Sequence, residues 1–135
     1  MKKILIIEDD PITAKIYRAM LEKQGCEVEV AADGQSGFDR VSEFRPDALL
    51  LDLMLPKTSG TEIIQKIRAL NCFRDLPIIA FTNAFVPGMI ENALKAGATK
   101  VFNKSSLTRS MLIESLAVDK LPAASPTVET VSGER

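Results

Sequence analysis

The chain has 135 residues, of which 46% are hydrophobic, and it carries a net charge of −1. This length suits one globular domain with a real core and excludes two domains of ordinary size. Lysine and arginine are spread along the chain without a basic cluster, so we expect no direct binding to nucleic acid or to an anionic membrane surface.

Histidine is absent, which excludes Ser-His-Asp and Cys-His catalysis, His-ligated zinc and any role as a phosphohistidine donor. No apolar stretch approaches the roughly 20 residues that span a bilayer, and the first apolar run is too short for a signal peptide. We therefore expect a cytoplasmic location. In that compartment Cys26 and Cys72 are expected to remain reduced thiols.

Short apolar runs alternate with stretches of helical period, which predicts repeated βα units around a parallel sheet. The five predicted strands cover residues 3–7, 27–31, 48–51, 77–81 and 100–103. From residue 121 onward the chain is rich in Pro, Ala, Ser, Thr and Val without helical period. This composition predicts one domain over residues 1–120 and a disordered tail over residues 121–135.

Apolar side chains at helical spacing mark a helix after each predicted strand. In the first helix they are Ile12, Ile16, Met20 and Leu21, and Gly25 ends this helix. The fourth helix is predicted over residues 87–96. The apolar residues of the other three helices are Phe38 and Val41; Ile63, Ile64, Ile67 and Leu70; and Leu107, Met111, Leu112 and Leu116.

Polar side chains follow four of the predicted strands. In chain order they are Glu8 and Asp9, then Asp52, Thr82 and Lys104. Because right-handed crossovers bring the carboxyl ends of parallel strands to one edge, these five side chains are expected to converge in a crevice.

Three carboxylates in one crevice need compensation that a single lysine cannot supply. Two like charges ~4 Å apart cost roughly 4 kcal/mol at an effective dielectric of ~20. The carboxylates must therefore be protonated, paired with Lys104 or bound to a cation. Oxygen ligands without His or Cys favour Mg²⁺, for which Mn²⁺ could substitute. Asp10, which precedes Pro11, is expected to serve as a helix N-cap only.

With these residues placed, the chain resembles the receiver domain of two-component response regulators over about residues 2–116. The resemblance rests on four segments in family order and spacing: Ile6-Ile7-Glu8-Asp9-Asp10-Pro11; Leu51-Asp52-Leu53-Met54-Leu55-Pro56 with Gly60; Ala80-Phe81-Thr82-Asn83-Ala84; and Ala96-Gly97-Ala98 leading to Lys104. It implies a flavodoxin-like, doubly wound α/β fold with a five-stranded parallel sheet of order 2-1-3-4-5 and five helices.

The resemblance further implies that Asp52 accepts a phosphoryl group from a histidine kinase or phosphotransfer protein. Asp9, Asp52 and the Met54 backbone carbonyl would ligate Mg²⁺, and Glu8 would act through a water. The protein would not be an enzyme in the ordinary sense, because it would catalyse only its own phosphorylation and dephosphorylation.

Lys104 and the Thr82 hydroxyl would contact the bound phosphoryl group, with Thr82 as the switch. Its movement would shift populations on the face formed by helix four, strand five and helix five, where a downstream protein would bind. The outer face of the first helix, with Lys15, Tyr17 and Arg18, resembles the kinase-docking surface. The protein is expected to be a monomer or a weak homodimer.

The chain departs from the family pattern near strand five. Ser105 follows Lys104 where the family usually has proline, and because a cis peptide costs ~2.5 to 4 kcal/mol without proline, we expect a trans bond. Val101 stands where the family often has a mobile Tyr or Phe, and alternation places Phe102 on the other face. Aromatic coupling is therefore expected to be absent or supplied by Phe85.

Two positions that influence acyl-phosphate hydrolysis in relatives are Met54 and Ala84. Neither side chain can orient water, which predicts a long-lived phosphoryl-Asp52.

Three other functions compete with this interpretation. A haloacid-dehalogenase-like phosphatase needs a second Asp where this chain has Met54. Nucleotide-binding folds need a glycine-rich turn after the first strand, which is absent. A phosphorylation-independent, receiver-like adaptor stays open, since Val101 and Ser105 favour it while the complete acidic pocket opposes it.

Overall fold

The computed structural model describes residues 2–83, 86–106 and 108–116. The strands are β1 (Lys3–Ile7), β2 (Glu27–Ala31), β3 (Ala48–Asp52), β4 (Ile78–Thr82) and β5 (Lys100–Asn103). The helices are α1 (Pro11–Lys23), α2 (Gly34–Phe44), α3 (Gly60–Arg68), α4 (Met89–Ala96) and α5 (Arg109–Ser115). Short 3₁₀ turns cover Asn71–Phe73 and Lys104–Ser106.

The five strands form one parallel sheet of order β2-β1-β3-β4-β5, which confirms the predicted fold class. Ile7 lies beside Leu51, Asp52 beside Phe81, and Thr82 beside Asn103. This register brings the carboxyl ends of β1, β3, β4 and β5 to one edge, as predicted for a doubly wound sheet. Two strands extend one residue further than predicted and so include Asp52 and Thr82.

Alternate residues of the central strands face two separate cores. One core packs β1 and β3 residues such as Leu5 and Leu51 against the buried sides of α2, α3 and α4. The other packs residues such as Ile6 and Leu50 against α1 and α5. Val101 contacts the first core and Phe102 the second, which confirms that these neighbours face opposite ways.

Only part of the apolar stripe that predicted α1 faces the sheet. Ile12 and Ile16 are 69% and 54% exposed. The buried face carries Ala14, Tyr17 and Leu21 instead, so Tyr17 is not on the outer face. Ile12 and Ile16 recur at helical spacing on one side of the helix, and Ala14, Tyr17 and Leu21 on another; only contact with the sheet selects the buried side.

Several predicted boundaries move by a few residues. Helix α4 begins at Met89 rather than at residue 87, after Gly88 with a φ of 83°. Helix α3 ends at Arg68, before Leu70. Ala84, Phe85, Leu107 and the predicted tail over 121–135 lie outside the described residues.

Two further predictions concern the backbone and the cysteines. The Lys104–Ser105 peptide is trans, as predicted. Cys26 and Cys72 are free thiols, the first buried and the second exposed. Over the described part of the chain, no helix has both the length and the apolar character needed to cross a membrane.

Candidate functional site

The predicted polar residues meet at the carboxyl edge of the sheet. Glu8 and Asp9 follow β1, Asp52 and Thr82 end β3 and β4, and Lys104 begins the turn after β5. Glu8, Asp52 and Thr82 are 2%, 4% and 2% exposed, whereas Asp9 is exposed. Burying two acids in this way demands compensation from charges or hydrogen bonds.

Lys104 supplies part of that compensation. Its Nζ lies 2.7 Å from Glu8 Oε1 and 3.3 Å from Asp52 Oδ2. The contact with Glu8 is an ion pair without the angle of a directed hydrogen bond. Partial burial lowers the pKa of Lys104, but the combined attraction of Glu8 and Asp52 outweighs burial and raises this pKa above its ordinary value.

Glu8 is held at the base of the crevice by the chain that follows it. The backbone N–H of Asp10 donates a 2.9 Å hydrogen bond to Glu8 Oε2. Burial raises the pKa of Glu8, and the negative charge of Asp52 adds to this effect, while Lys104 and the Asp10 hydrogen bond oppose it. Loss of solvent therefore dominates at this carboxylate.

Asp52 is fixed through both carboxylate oxygens. Oδ1 accepts a 2.9 Å hydrogen bond from the backbone N–H of Met54, and Oδ2 contacts Lys104. Such a hydrogen bond to the residue two positions later is the usual arrangement for an aspartate that begins a loop. The carboxylate thus has a set orientation at the end of the buried strand.

Glu8, Asp9 and Asp52 form a group that could hold a cation. One oxygen from each of them lies within 4.8 Å of the others. Hard carboxylate oxygens in this number suit Mg²⁺, an ion that usually keeps several water molecules as its other ligands. The donor set therefore fits the ion predicted from the sequence.

Asp10 lies beside the site, and its side chain caps α1. Its side chain accepts a hydrogen bond from the Thr13 backbone N–H and contacts the Thr13 hydroxyl. The Thr13 hydroxyl is also the main reason that the pKa of Asp10 is lowered. The predicted N-cap role is confirmed.

Two aromatic residues lie next to the cluster: Phe81, for which the sequence predicts no role of its own, and Tyr17, which was expected on the kinase-docking face. The Lys104 ammonium lies 5.0 Å from the centroid of the Phe81 ring. The Tyr17 ring meets the Phe81 ring at 83°, with 5.3 Å between centroids. The signal that could have identified Phe81 is its position at the end of β4, directly before Thr82. Strand alternation turns Phe81 to the face of the sheet opposite Thr82, where it packs in the same core as Tyr17.

The sequence profile of the response regulator receiver domain matches residues 4–117. The chain belongs to this family. A receiver domain is the phosphorylated signalling module of two-component systems, and the acidic pocket of Glu8, Asp9 and Asp52 is consistent with a phosphorylation site that binds Mg²⁺.

Among curated receiver proteins, the Brucella anthropi polar-differentiation response regulator DivK is 29% identical over 85% of this chain and 93% of its own length. The Synechocystis transcriptional regulator RpaA is 31% identical over 98% of this chain but only 56% of its own, longer chain. Single-domain receivers therefore match this chain along nearly their whole length.

Solved receiver structures agree with the fold. The receiver domain of a Pseudomonas aeruginosa sensor histidine kinase, which has a magnesium ion coordinated in its active site cleft, is 35% identical, with a TM-score of 0.77 over 85% of this chain and 93% of its own. Vibrio cholerae chemotaxis response regulator CheY4 is 26% identical, with a TM-score of 0.79 over 87% of this chain and 97% of its own.

Proposed function

We propose that Asp52 is the residue that accepts the phosphoryl group in this receiver domain, from the phosphohistidine of a histidine kinase or phosphotransfer protein. The supporting observation is a buried carboxylate at the end of β3, oriented by the Met54 N–H and by Lys104 within a cluster of oxygen ligands. In the transfer, an Asp52 oxygen attacks phosphorus, the donor P–N bond breaks, and its electron pair returns to the imidazole.

The proposed Mg²⁺ ligands are Asp9, Asp52 and the Met54 backbone carbonyl, with Glu8 acting through a water. The clustering of three carboxylate oxygens within 4.8 Å supports this set, as does the magnesium ion of the Pseudomonas receiver domain. Bound Mg²⁺ supplies neutralisation of the charge on the phosphoryl oxygens. Mn²⁺ would substitute because it accepts the same ligands.

Lys104 and Thr82 are proposed to contact the phosphoryl group. Lys104 already pairs with Asp52, so it needs only a small movement to reach an oxygen bound there. The Thr82 hydroxyl then moves toward another phosphoryl oxygen and shifts the face formed by α4, β5 and α5. Because Met54 and Ala84 cannot orient water, the phosphoryl group is proposed to be long-lived.

The partners follow from this chemistry. Receiver domains interact with histidine kinases or phosphotransfer proteins and with downstream targets. For this chain we propose a separate downstream protein that reads the α4-β5-α5 face, in a monomer or weak homodimer. A cytoplasmic location stays a prediction.

The direct test is phosphoryl uptake from acetyl phosphate with Mg²⁺, followed by intact mass measurement. We expect an adduct on the wild type that is lost in Asp52→Asn and in the presence of a chelator. Asp39→Asn is the matched control, because Asp39 lies on the exposed side of α2 and bonds to Gln35. An adduct on Asp52→Asn equal to that on the wild type would show that Asp52 is not the acceptor.

Absence of any adduct on the wild type would favour the phosphorylation-independent adaptor. The features that motivate this alternative are Val101 and Ser105, at two positions where the family usually carries other residues. The ion pairs of Lys104 with Glu8 and Asp52 argue against it, because an adaptor has no use for a buried charge cluster of this kind.

A further inference from the structure

Lys104 is held on three sides. Two of them are the carboxylates of Glu8 and Asp52, at 2.7 Å and 3.3 Å. The third is the ring of Phe81, whose centroid lies 5.0 Å from Nζ. A cation at this distance over an aromatic face is attracted by the negative charge of the π system, and more strongly where water is excluded.

Phe81 is itself immobilised. Its side chain is 0% exposed, and the Tyr17 ring packs against it in a T-shaped arrangement. Such a pair joins the positive edge of one ring to the negative face of the other, which fixes their relative orientation. We call Tyr17 and Phe81 together the aromatic platform. Phe102, beside Phe81 in the sheet, packs against the same core.

A lysine in this place needs such a constraint. Its side chain is a flexible four-carbon stem that ends in a point charge, without the planar geometry that restricts arginine. Two buried carboxylates contact it, and an unrestrained ammonium could settle on either of them alone. In the observed position the ammonium contacts the Phe81 ring while it reaches both Glu8 and Asp52.

We propose that Phe81, supported by Tyr17, is a positioning residue that holds the Lys104 ammonium ready for the phosphoryl group on Asp52. This inference rests on the proposed function of Asp52. A preplaced cation needs little reorganisation when negative charge arrives, and preorganisation of this kind is what makes electrostatic stabilisation effective.

The charges of the site reach as far as Tyr17. Burial raises the pKa of Tyr17, while the positive charge of Lys104 lowers it and the negative charges of Glu8 and Asp52 raise it. Tyr17 therefore lies within the electrostatic range of the cluster that the platform supports.

The first test measures affinity for beryllofluoride, a phosphoryl mimic, by ¹⁹F NMR with saturating Mg²⁺. We expect Phe81→Leu to weaken binding roughly 3- to 30-fold, the range that loss of a cation–π contact produces. Phe73→Leu is the matched control, because Phe73 is also buried but packs in the other core. It should change the affinity less than about 2-fold, well below the cation–π range.

Tyr17 gives a second pair of variants that does not alter the Phe81 side chain. Tyr17→Phe keeps the ring and should bind beryllofluoride as the wild type does, whereas Tyr17→Leu removes the ring and should bind more weakly. Equal affinities for these two variants would refute the supporting role of Tyr17.

A double-mutant cycle then asks whether Phe81 acts through Lys104. Urea unfolding of wild type, Phe81→Leu, Lys104→Met and the double variant gives the coupling between the two side chains without any ligand. We expect Phe81→Leu to destabilise the protein less when Lys104 is already replaced. Strict additivity, or unchanged beryllofluoride affinity in Phe81→Leu, would overturn the positioning role. No beryllofluoride adduct on the wild type would instead overturn the proposed function itself.

Discussion

Gly60 determines how closely α3 approaches the strand that ends in Asp52. A Cβ at Gly60 would lie 2.7 Å from the Asp52 carbonyl oxygen and 2.7 Å from Leu53 Cα. The Gly60 N–H also donates a 3.0 Å hydrogen bond to the Leu53 carbonyl. Both obstructing atoms belong to the backbone, so a side chain here must displace the segment that carries Asp52, the proposed phosphoryl acceptor.

We therefore expect Gly60→Ala to lower the free energy of unfolding by about 1–3 kcal/mol, the usual cost of overpacking. It should also slow phosphoryl uptake, because the Asp52 backbone shifts. Urea unfolding and uptake from acetyl phosphate measure the two effects.

Gly34→Ala is the matched control, since Gly34 begins α2 as Gly60 begins α3. A Cβ at Gly34 would meet Ile63 side-chain carbons at 2.8 Å and 2.9 Å, and a side chain yields more readily than backbone. An equal loss of stability and an equal loss of uptake in the two variants would contradict the role given to Gly60.

At the scale of elements, α1, α2, α3 and α5 each follow a residue whose side chain caps the helix. Asp33 caps α2 by accepting a 2.8 Å hydrogen bond from the Ser36 backbone N–H. Ser59 and Thr108 cap α3 and α5 in the same way. The Ser36 backbone hydrogen bond lowers the pKa of Asp33, so the cap is strongest when this carboxylate is ionised.

Because the pKa of Asp33 is lowered in the folded protein, the cap stabilises the protein less at low pH. Because the folded pKa of Asp33 lies below its ordinary value of 3.8, the unfolded chain binds the proton more readily. The stabilisation is present above this ordinary value and is lost as pH falls through the lower folded pKa. We expect the difference in unfolding free energy between wild type and Asp33→Asn to be constant above about pH 5. Below that pH the wild type should lose stability relative to Asp33→Asn.

Asn is the useful replacement because it caps helices without titrating. Urea midpoints of both proteins across this pH range provide the measurement, and the other carboxylates cancel in the difference. A difference that stays flat down to pH values below 3 would contradict the assigned cap.

At the scale of the whole molecule, the acidic cluster joins the ends of separate strands. A cation that binds there stabilises the folded chain, because the unfolded chain does not bring these oxygens together. With Mg²⁺ at ten times its dissociation constant, we expect the free energy of unfolding to rise by about 1.4 kcal/mol. Tyr17 reports the transition by fluorescence, since the chain has one tyrosine and no tryptophan.

Unfolding measured in NaCl at matched ionic strength separates Mg²⁺ binding from simple screening of charges. Asp9→Asn should remove most of the increase in unfolding free energy that Mg²⁺ produces. Asp9 is the exposed carboxylate of the cluster, whereas Glu8 and Asp52 already pair with Lys104. An equal gain from NaCl, or a full gain in Asp9→Asn, would argue against a magnesium site at these residues.

The sequence predicted the strands well because each strand is a local pattern. Lys100–Asn103 and Glu27–Ala31 have the predicted bounds, and the polar residues after the strands converge as expected. Helix faces were harder to predict, because α1 has two apolar stripes at helical spacing. The structure buries Tyr17 and leaves Ile16 exposed.

The sequence by itself determined the order of strands along the chain and the acidic, hydroxyl and lysine side chains at their ends, because alternation and strand-end chemistry are local. Only the tertiary structure decided that Lys104 pairs with Glu8 as well as Asp52 and that the Phe81 ring lies next to its ammonium. These contacts join segments far apart in the chain. They depend on the sheet register and on which face of α1 packs against it, and neither is a local property of the sequence.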